Sequence, residues 1–357
     1  MEIKRVTQTP QEVKSFDGEY PAELNPADVV EIFQTPLTGA YNWDYTVVDN
    51  RIKKLYELGK ELNWNVETDI NWDRPYNGVN SEEFENQNSE WGRHPQYVKW
   101  DAEKRKQFLI DSTSWTISQF LHGEQGALLV ASQLASCAPT FNAKLYAASQ
   151  TFDEARHVEA FNKYLQTRLK RMWPVTRSLK GLLDKILTDP RWDLKFIGMQ
   201  VVIEGLALAA FNAGKQATKD PVLQDMLGLI IRDEARHVTF GINYLTDYVQ
   251  TLSEDEKMDR ALFALEACTV SRNRLEPIDV WHKYELDIEY TRHFAKENFA
   301  RVQFQDILFS RIMPNLKKIG LLKDELLDQY ADLGILGYAN GDSDFETSWE
   351  ELSKPLF

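Results

Sequence analysis

Cysteine is nearly absent: Cys137 and Cys268 are the only two in 357 residues, too few for a disulfide framework or for a cysteine-ligated cluster held within one chain. Any bound metal must then be held by carboxylates and imidazoles. Positive charge is short as well. With 41 Lys and Arg against 55 Asp and Glu the formal charge is -14, which argues against a general nucleic-acid binder, because such surfaces need cations to displace the counterions of phosphate. No run reaches the roughly 18 apolar residues that span a bilayer, and the opening MEIKRVTQTPQEVKSFDGEYP has no apolar signal-peptide core. The expectation is a soluble, cytoplasmic protein without membrane contact. A flavin, nicotinamide or iron–sulfur motif is missing too.

An apolar content of 43% is enough to bury a large core in one broad domain. Residues 1–100, rich in Asn, Asp, Trp and Pro, read as an arm packed by its aromatics, with a short helix near 45–62. Trp64, Trp72 and Trp91 are costly to leave exposed, so a disordered tail is disfavoured. The segments 41–45 and 63–72 are expected to drape over the core, to contribute to a dimer contact or to cover a pocket mouth. From Asp101 the texture changes to long helical periodicity, predicting helices near 101–133, 140–169, 192–215 and 220–250. The core is therefore placed at 101–250. A C-terminal helical extension of the same domain fills 251–357, with helices near 256–272, 276–306 and 318–332.

An internal echo matters more than these boundaries. The hexapeptide DEARHV stands at 153–158 and again at 233–238, and each copy has a lone glutamate thirty residues upstream of its own, Glu124 before Glu154 and Glu204 before Glu234. Such duplication predicts two similar helix pairs related by an approximate two-fold axis. Residues three apart share a helix face, so Glu154 with His157, and Glu234 with His237, can converge on one spot. Four helices carrying Glu, Glu-x-x-His, Glu and Glu-x-x-His can enclose two metal ions with four carboxylates and two imidazoles. Glu204 lies in FIGMQVVIEGLALAAF, apolar around its circumference, where a lone carboxylate is costly unless a cation accompanies it. Asp153 and Asp233 are assigned to the outer imidazole N–H groups, crossed between copies: Asp233 to His157 and Asp153 to His237. Salt bridges to Arg156 and Arg236 are the alternative, and both can coexist in one buried network. His94 and His122 read as structural. Hard oxygen donors with two imidazoles suit an iron pair, with a mixed manganese–iron pair as the variant.

At these residues the chain resembles the ferritin-like di-iron carboxylate superfamily, in particular its ribonucleotide reductase small-subunit and di-iron oxygenase branch. The resemblance covers roughly residues 101–250. It implies an all-α fold with a ferritin-like four-helix core elaborated by extra helices and an N-terminal arm. It also implies a dioxygen-activating oxidoreductase in which Glu124, Glu154 and His157 serve one iron and Glu204, Glu234 and His237 the other, with some glutamates bridging. Against the family pattern, Phe161 replaces the radical tyrosine one turn after the first motif histidine, and Tyr164 is a poor substitute. Leu208 stands where multicomponent monooxygenases often carry a hydroxyl residue. Arylamine N-oxygenases add a histidine seven residues before the final one, and Ile230 at that position sets that branch aside.

What remains is an oxygenase acting on a small or medium, largely apolar organic molecule, in a pocket expected to be lined by Ile117, Leu121, Leu128, Phe161, Ala207, Leu208 and Phe211. An oxidase or desaturase, or a radical-generating subunit without its tyrosine, is the alternative within the chemistry. Metal storage or a silent helical scaffold is the alternative outside it. Turnover of an oxygenase needs two external electrons, which makes a ferredoxin or flavoprotein reductase the expected partner, and symmetry priors favour a homodimer.

Overall fold

The computed structural model describes residue 39 and residues 43–45, 49–75, 91–273, 276–297 and 299–353. The opening segment and residues 76–90 of the expected arm lie outside the described residues. Most of the main helices start where a short polar side chain meets the first free N–H groups. Asp49 accepts from Arg51 N at 2.8 Å to open α1, Asn50–Glu61. Asp101 accepts from Lys104 N at 2.7 Å to open α2, Ala102–Cys137. Thr140 starts α3, Phe141–Tyr164, and Thr176 starts α4, Arg177–Thr188. α5 runs from Trp192 to Ala217. α6, Pro221–Val249, begins with a capping Asp220 and a proline that needs no N–H partner there.

Hairpin-like connections join α2 to α3 and α5 to α6, and those two pairs make the most extensive helix contacts in the chain. Their inner faces form the four-helix core, braced by α1, α4, α7 (Glu254–Asn273) and, against α5, α10 (Phe299–Ile319). The chain is thus all-α, a ferritin-like bundle with extra helices and an N-terminal extension. By length and composition α5 could cross a bilayer, a run the sequence expectation did not register; 94% of its most apolar window is buried inside the bundle. Its apolarity reflects burial on all sides.

α5 is not a regular helix. Phe196–Ile203, just before Glu204, widens to π geometry, a distortion that recurs at functional sites. There the backbone closes tightly on its neighbours. A Cβ at Gly241 of α6 would meet Gln200 Cβ at 2.4 Å, and one at Gly198 would meet Ile186 Cγ1 at 2.6 Å.

Three expectations need correction. α4 was not foreseen. The single helix expected over 276–306 is three: α8 (Ile278–Lys283), α9 (Ile288–Lys296) and the start of α10. Glu285 takes a left-handed φ of 54° and Asp287 then caps a new helix by accepting from Tyr290 N, so the chain turns where periodicity alone reads as continuous. The region 318–332 holds only the end of α10, a 3₁₀ turn and α11, Leu327–Asp332.

Candidate metal centre

The six residues singled out by the duplicated motif come together inside the bundle. Glu124 projects from α2, Glu154 and His157 from α3, Glu204 from α5, and Glu234 and His237 from α6; each is at most 4% exposed. Their atoms form two groups. Glu124, Glu154, His157 and Glu234 offer donors lying within 4.8 Å of one another, as do Glu154, Glu204 and His237, so Glu154 belongs to both. His157 Nδ1 is 3.1 Å from Glu124 Oε2, 3.2 Å from Glu154 Oε2 and 3.1 Å from Glu234 Oε1. His237 Nδ1 is 3.1 Å from Glu154 Oε1 and 3.7 Å from Glu234 Oε2. Most of these approaches lack hydrogen-bond alignment: Glu154 Oε2, Glu204 Oε2, both Glu234 oxygens and His237 Nδ1 are buried without a hydrogen bond among the described residues. Donors that crowd together without pairing face a common centre, and the chemistry of the set fits two cations.

Behind the imidazoles the crossed arrangement is present. His157 Nε2 lies 3.2 Å from Asp233 Oδ2 and His237 Nε2 lies 3.2 Å from Asp153 Oδ2. Arg156 and Arg236 each bridge both aspartates. Arg236 Nη2 donates to Asp233 Oδ1 at 2.6 Å and to Asp153 Oδ2 at 3.2 Å, and Arg156 Nη2 donates to Asp233 Oδ2 at 3.2 Å and to Asp153 Oδ1. Crossed hydrogen bonds and salt bridges therefore coexist. Trp64, 4% exposed, joins them from the arm, donating its Nε1–H to Asp233 Oδ2 at 2.7 Å and stacking beside His157. The sequence reading expected the tryptophan to be buried but gave no hint of this hydrogen bond, which spans 169 residues.

Burial dominates the electrostatics. It pushes the Glu124 and Glu204 carboxyls well above the usual range, helped by the Glu234 carboxylate for the first and the Glu154 carboxylate for the second. Burial also opposes charge on the imidazoles, yet Asp233 and the surrounding glutamates raise His157, and Glu154 raises His237. For Asp233 burial is outweighed by Arg236 and His157, which hold it well below its usual value. Without metal, protons thus take the place of cations.

A cavity reaches this centre between α2, α5 and α10. Its walls include Trp115, Thr116, Gln119, Phe120, Gly123 and Ala127 of α2, Ile203, Leu206, Ala207, Ala210 and Phe211 of α5, and Leu308; Glu124, Glu204 and Glu234 form its inner end. Only Ala207 and Phe211 of the expected lining are there. Ile117, Leu121, Phe161 and Leu208 are packed in the core, and Leu128 is not part of the wall. The error is a rotation by about one residue around α2. The open face lies four and eight residues before Glu124 and three after it, not three and seven before and four after. Phe120 and Ala127 on the open face are as apolar as Leu121 and Leu128, so these residues did not distinguish the faces. His94 and His122 bond to Thr291 and to the Trp173 carbonyl, away from both donor groups. Tyr164 donates to Asp220 at 3.0 Å.

The family model described as P-aminobenzoate N-oxygenase AurF matches residues 46–320, well over half of the chain. The chain belongs to the AurF family. Membership corrects the expectation that set the arylamine N-oxygenase branch aside. Ile230, the residue behind that expectation, is fully buried in an apolar cluster with Phe161 and Phe211, so this AurF-family chain offers no imidazole there. Two solved structures of a mutant R2-like ligand-binding oxidase, with anaerobically and aerobically reconstituted Mn/Fe cofactor, are each 17% identical with a TM-score of 0.48, covering 77% of this chain and 94% of theirs. Comparison with curated proteins gives no match. The AurF-family chain is an O2-dependent di-iron oxidoreductase of the monooxygenase class, acting on an organic substrate.

Proposed function

We propose that Glu124, Glu154, His157 and Glu234 hold one iron and that Glu154, Glu204 and His237 hold the other. In this reading the enzyme transfers one oxygen atom of O2 to an uncharged, largely apolar organic molecule lying between α2 and α5. A mixed manganese–iron pair is the variant of the same site. The observation that carries the reading is the cavity whose inner end is made of three of these glutamates and whose walls, among the described residues, are otherwise neutral. A metal pair bound there would supply the two-electron chemistry that dioxygen needs. The chain's own residues do the rest. Asp233 and Asp153 keep the imidazole protons on Nε2, leaving each Nδ1 lone pair for metal. Phe120, Ala207, Ala210 and Phe211 hold the substrate by apolar contact and keep water away.

Among the described residues the lining contains no Lys, Arg or His. Two divalent ions held by four glutamates carry no net positive charge, so a substrate carboxylate there would lack a counter-cation, an arrangement that costs several kcal/mol. We therefore place the substrate among molecules without an acid group, although the family description refers to an aminobenzoate. That description favours an aryl amine as the class and its nitrogen as the atom oxidised. Such a turnover consumes substrate, O2, two electrons and two protons and yields the oxygenated product and water. A ferredoxin or flavoprotein reductase is the proposed donor, working with a cytoplasmic homodimer.

Two measurements test this. Anaerobic loading with Fe(II) should give two ions per chain, and the double variant Glu204→Ala, Glu234→Ala should lose the dinuclear signature while keeping its helical circular dichroism. A normal signature in that variant removes those glutamates from the assignment, and an iron core larger than two ions per chain would favour storage. Substrate-dependent O2 uptake should then be faster with a neutral arylamine than with the same ring carrying a carboxylate; preference for the acid overturns the specificity.

A further inference from the structure

The two donor groups are unequal, four residues against three. Beside the smaller one stands Gln150 of α3, fully buried, with its Nε2 at 2.8 Å from Glu204 Oε1 and 3.1 Å from Glu154 Oε1. Its other amide atom, Oε1, has no hydrogen-bond partner among the described residues. Gln150 and Ile230 occupy the same place in the two motif copies, four residues ahead of Glu154 and Glu234, so the polar group is present on one side only.

Resting on the two-ion reading above, we propose that Gln150 is a ligand: its amide oxygen is the fourth donor of the ion held by Glu154, Glu204 and His237. Neighbouring donors on a six-coordinate ion with bonds of about 2.1 Å stand about 3 Å apart. The inward atom of the Gln150 amide has that spacing from both carboxylate oxygens. Without a cation those oxygens are acceptors, and the amide turns its N–H groups toward them. Once a cation takes their lone pairs, an inward NH2 faces positive charge, and a half-turn of the amide presents oxygen in the same position. The exchange needs no backbone movement. It also gives the fully buried amide a second role that a core-facing residue of the same size, such as the Ile230 opposite, cannot supply.

The test is a Mn(II) titration of the full-length chain, with bound metal counted by elemental analysis and the coupled pair followed by electron paramagnetic resonance. The unaltered chain should bind two ions and show the signal of a coupled pair. Gln150→Leu should keep the first ion and bind the second at least about tenfold more weakly, replacing the coupled signal with that of a single ion at matched metal concentration. Gln150→Glu keeps an oxygen and has no N–H to donate when ionised, and should retain both ions. Equal affinity for both ions in Gln150→Leu overturns the proposal. Loss of the second ion from Gln150→Glu as complete as from Gln150→Leu also overturns it, because Gln150 would then act through its N–H groups. If the unaltered chain binds no pair, the two-ion reading itself fails, and the proposal falls with it. Circular dichroism of each variant separates these outcomes from misfolding.

Discussion

The two copies of the duplicated motif present the same side chains to the bundle centre but are supported differently from behind. On the His157 side, Asp233 receives hydrogen bonds from Trp64, Arg156 and Arg236 as well as facing the imidazole. On the His237 side, Asp153 has the two arginines and the imidazole but no tryptophan. Tyr146 stands beside His237 there, with its hydroxyl buried without a hydrogen bond among the described residues and its pKa raised by burial. Duplication sets the donors, whereas elements outside the repeat make the halves unequal. Among the described residues the arm reaches one aspartate, and Asn63 and Leu62 fasten it to Arg156 and Arg232 around Trp64.

The comparison breaks first if the aspartates are interchangeable. Removing either leaves buried arginines short of a counter-charge, so Asp233→Ala and Asp153→Ala should each cost about 3–5 kcal/mol, with Asp233→Ala the more damaging. Urea unfolding of the metal-loaded protein measures both, and equal losses would mean that the Trp64 hydrogen bond adds nothing.

A second prediction concerns acidity. In the metal-free protein Glu124 and Glu204 hold protons well above the ordinary 4.5, and His157 and His237 well above 6.5. A folded pKa above the unfolded one stabilises the fold below the unfolded value, and that stabilisation fades as pH climbs through the folded one. Asp233 acts in the opposite direction, but its contribution is complete once pH exceeds its ordinary 3.8. Melting temperature of chelator-treated protein should therefore fall as pH rises from about 5 to about 9, while metal-loaded protein should not follow it. A metal-free melting temperature that rises over this range would contradict the electrostatic account.

The smallest effect sharpens the comparison most. Trp64→Phe keeps the ring against His157 and removes only the donor to Asp233, which should cost about 1 kcal/mol. In the Trp64→Phe background the difference between Asp233→Ala and Asp153→Ala should vanish. If it persists, the inequality of the halves has another source.

How much of this was legible in the sequence depends on whether the signal was periodic. Glu154 with His157 and Glu234 with His237 obey helical spacing, and the thirty-residue offset of Glu124 and Glu204 survives because both pairs are hairpin-connected helices. The crossed placement of Asp153 and Asp233 follows from the same symmetry. The cavity was not legible, since Phe120 and Leu121 are equally apolar and only packing against α5 decides which faces open space. Nor was the role of Trp64, a contact between distant segments that leaves no local trace. α4 escaped notice in the interval between the helices expected near 140–169 and 192–215, and Ile230, read alone, pointed away from the family to which the longer stretch belongs.

The widened stretch of α5 has a consequence for how such chains should be aligned. A residue added to a helix turns everything beyond it by about 100°, so counting forward from Trp192 on a regular helical wheel misplaces Glu204. The widening separates Trp192–Lys195 from the regular helix that begins at Glu204. The widened stretch itself closes Gly198 on Ile186 and Phe263, and the segment beyond it aims Glu204 inward while Ala207 and Ala210 leave room for a guest. A homologue differing by one residue between Trp192 and Glu204 could carry the same carboxylate in the same place, its gap marking a change of winding and not a lost donor.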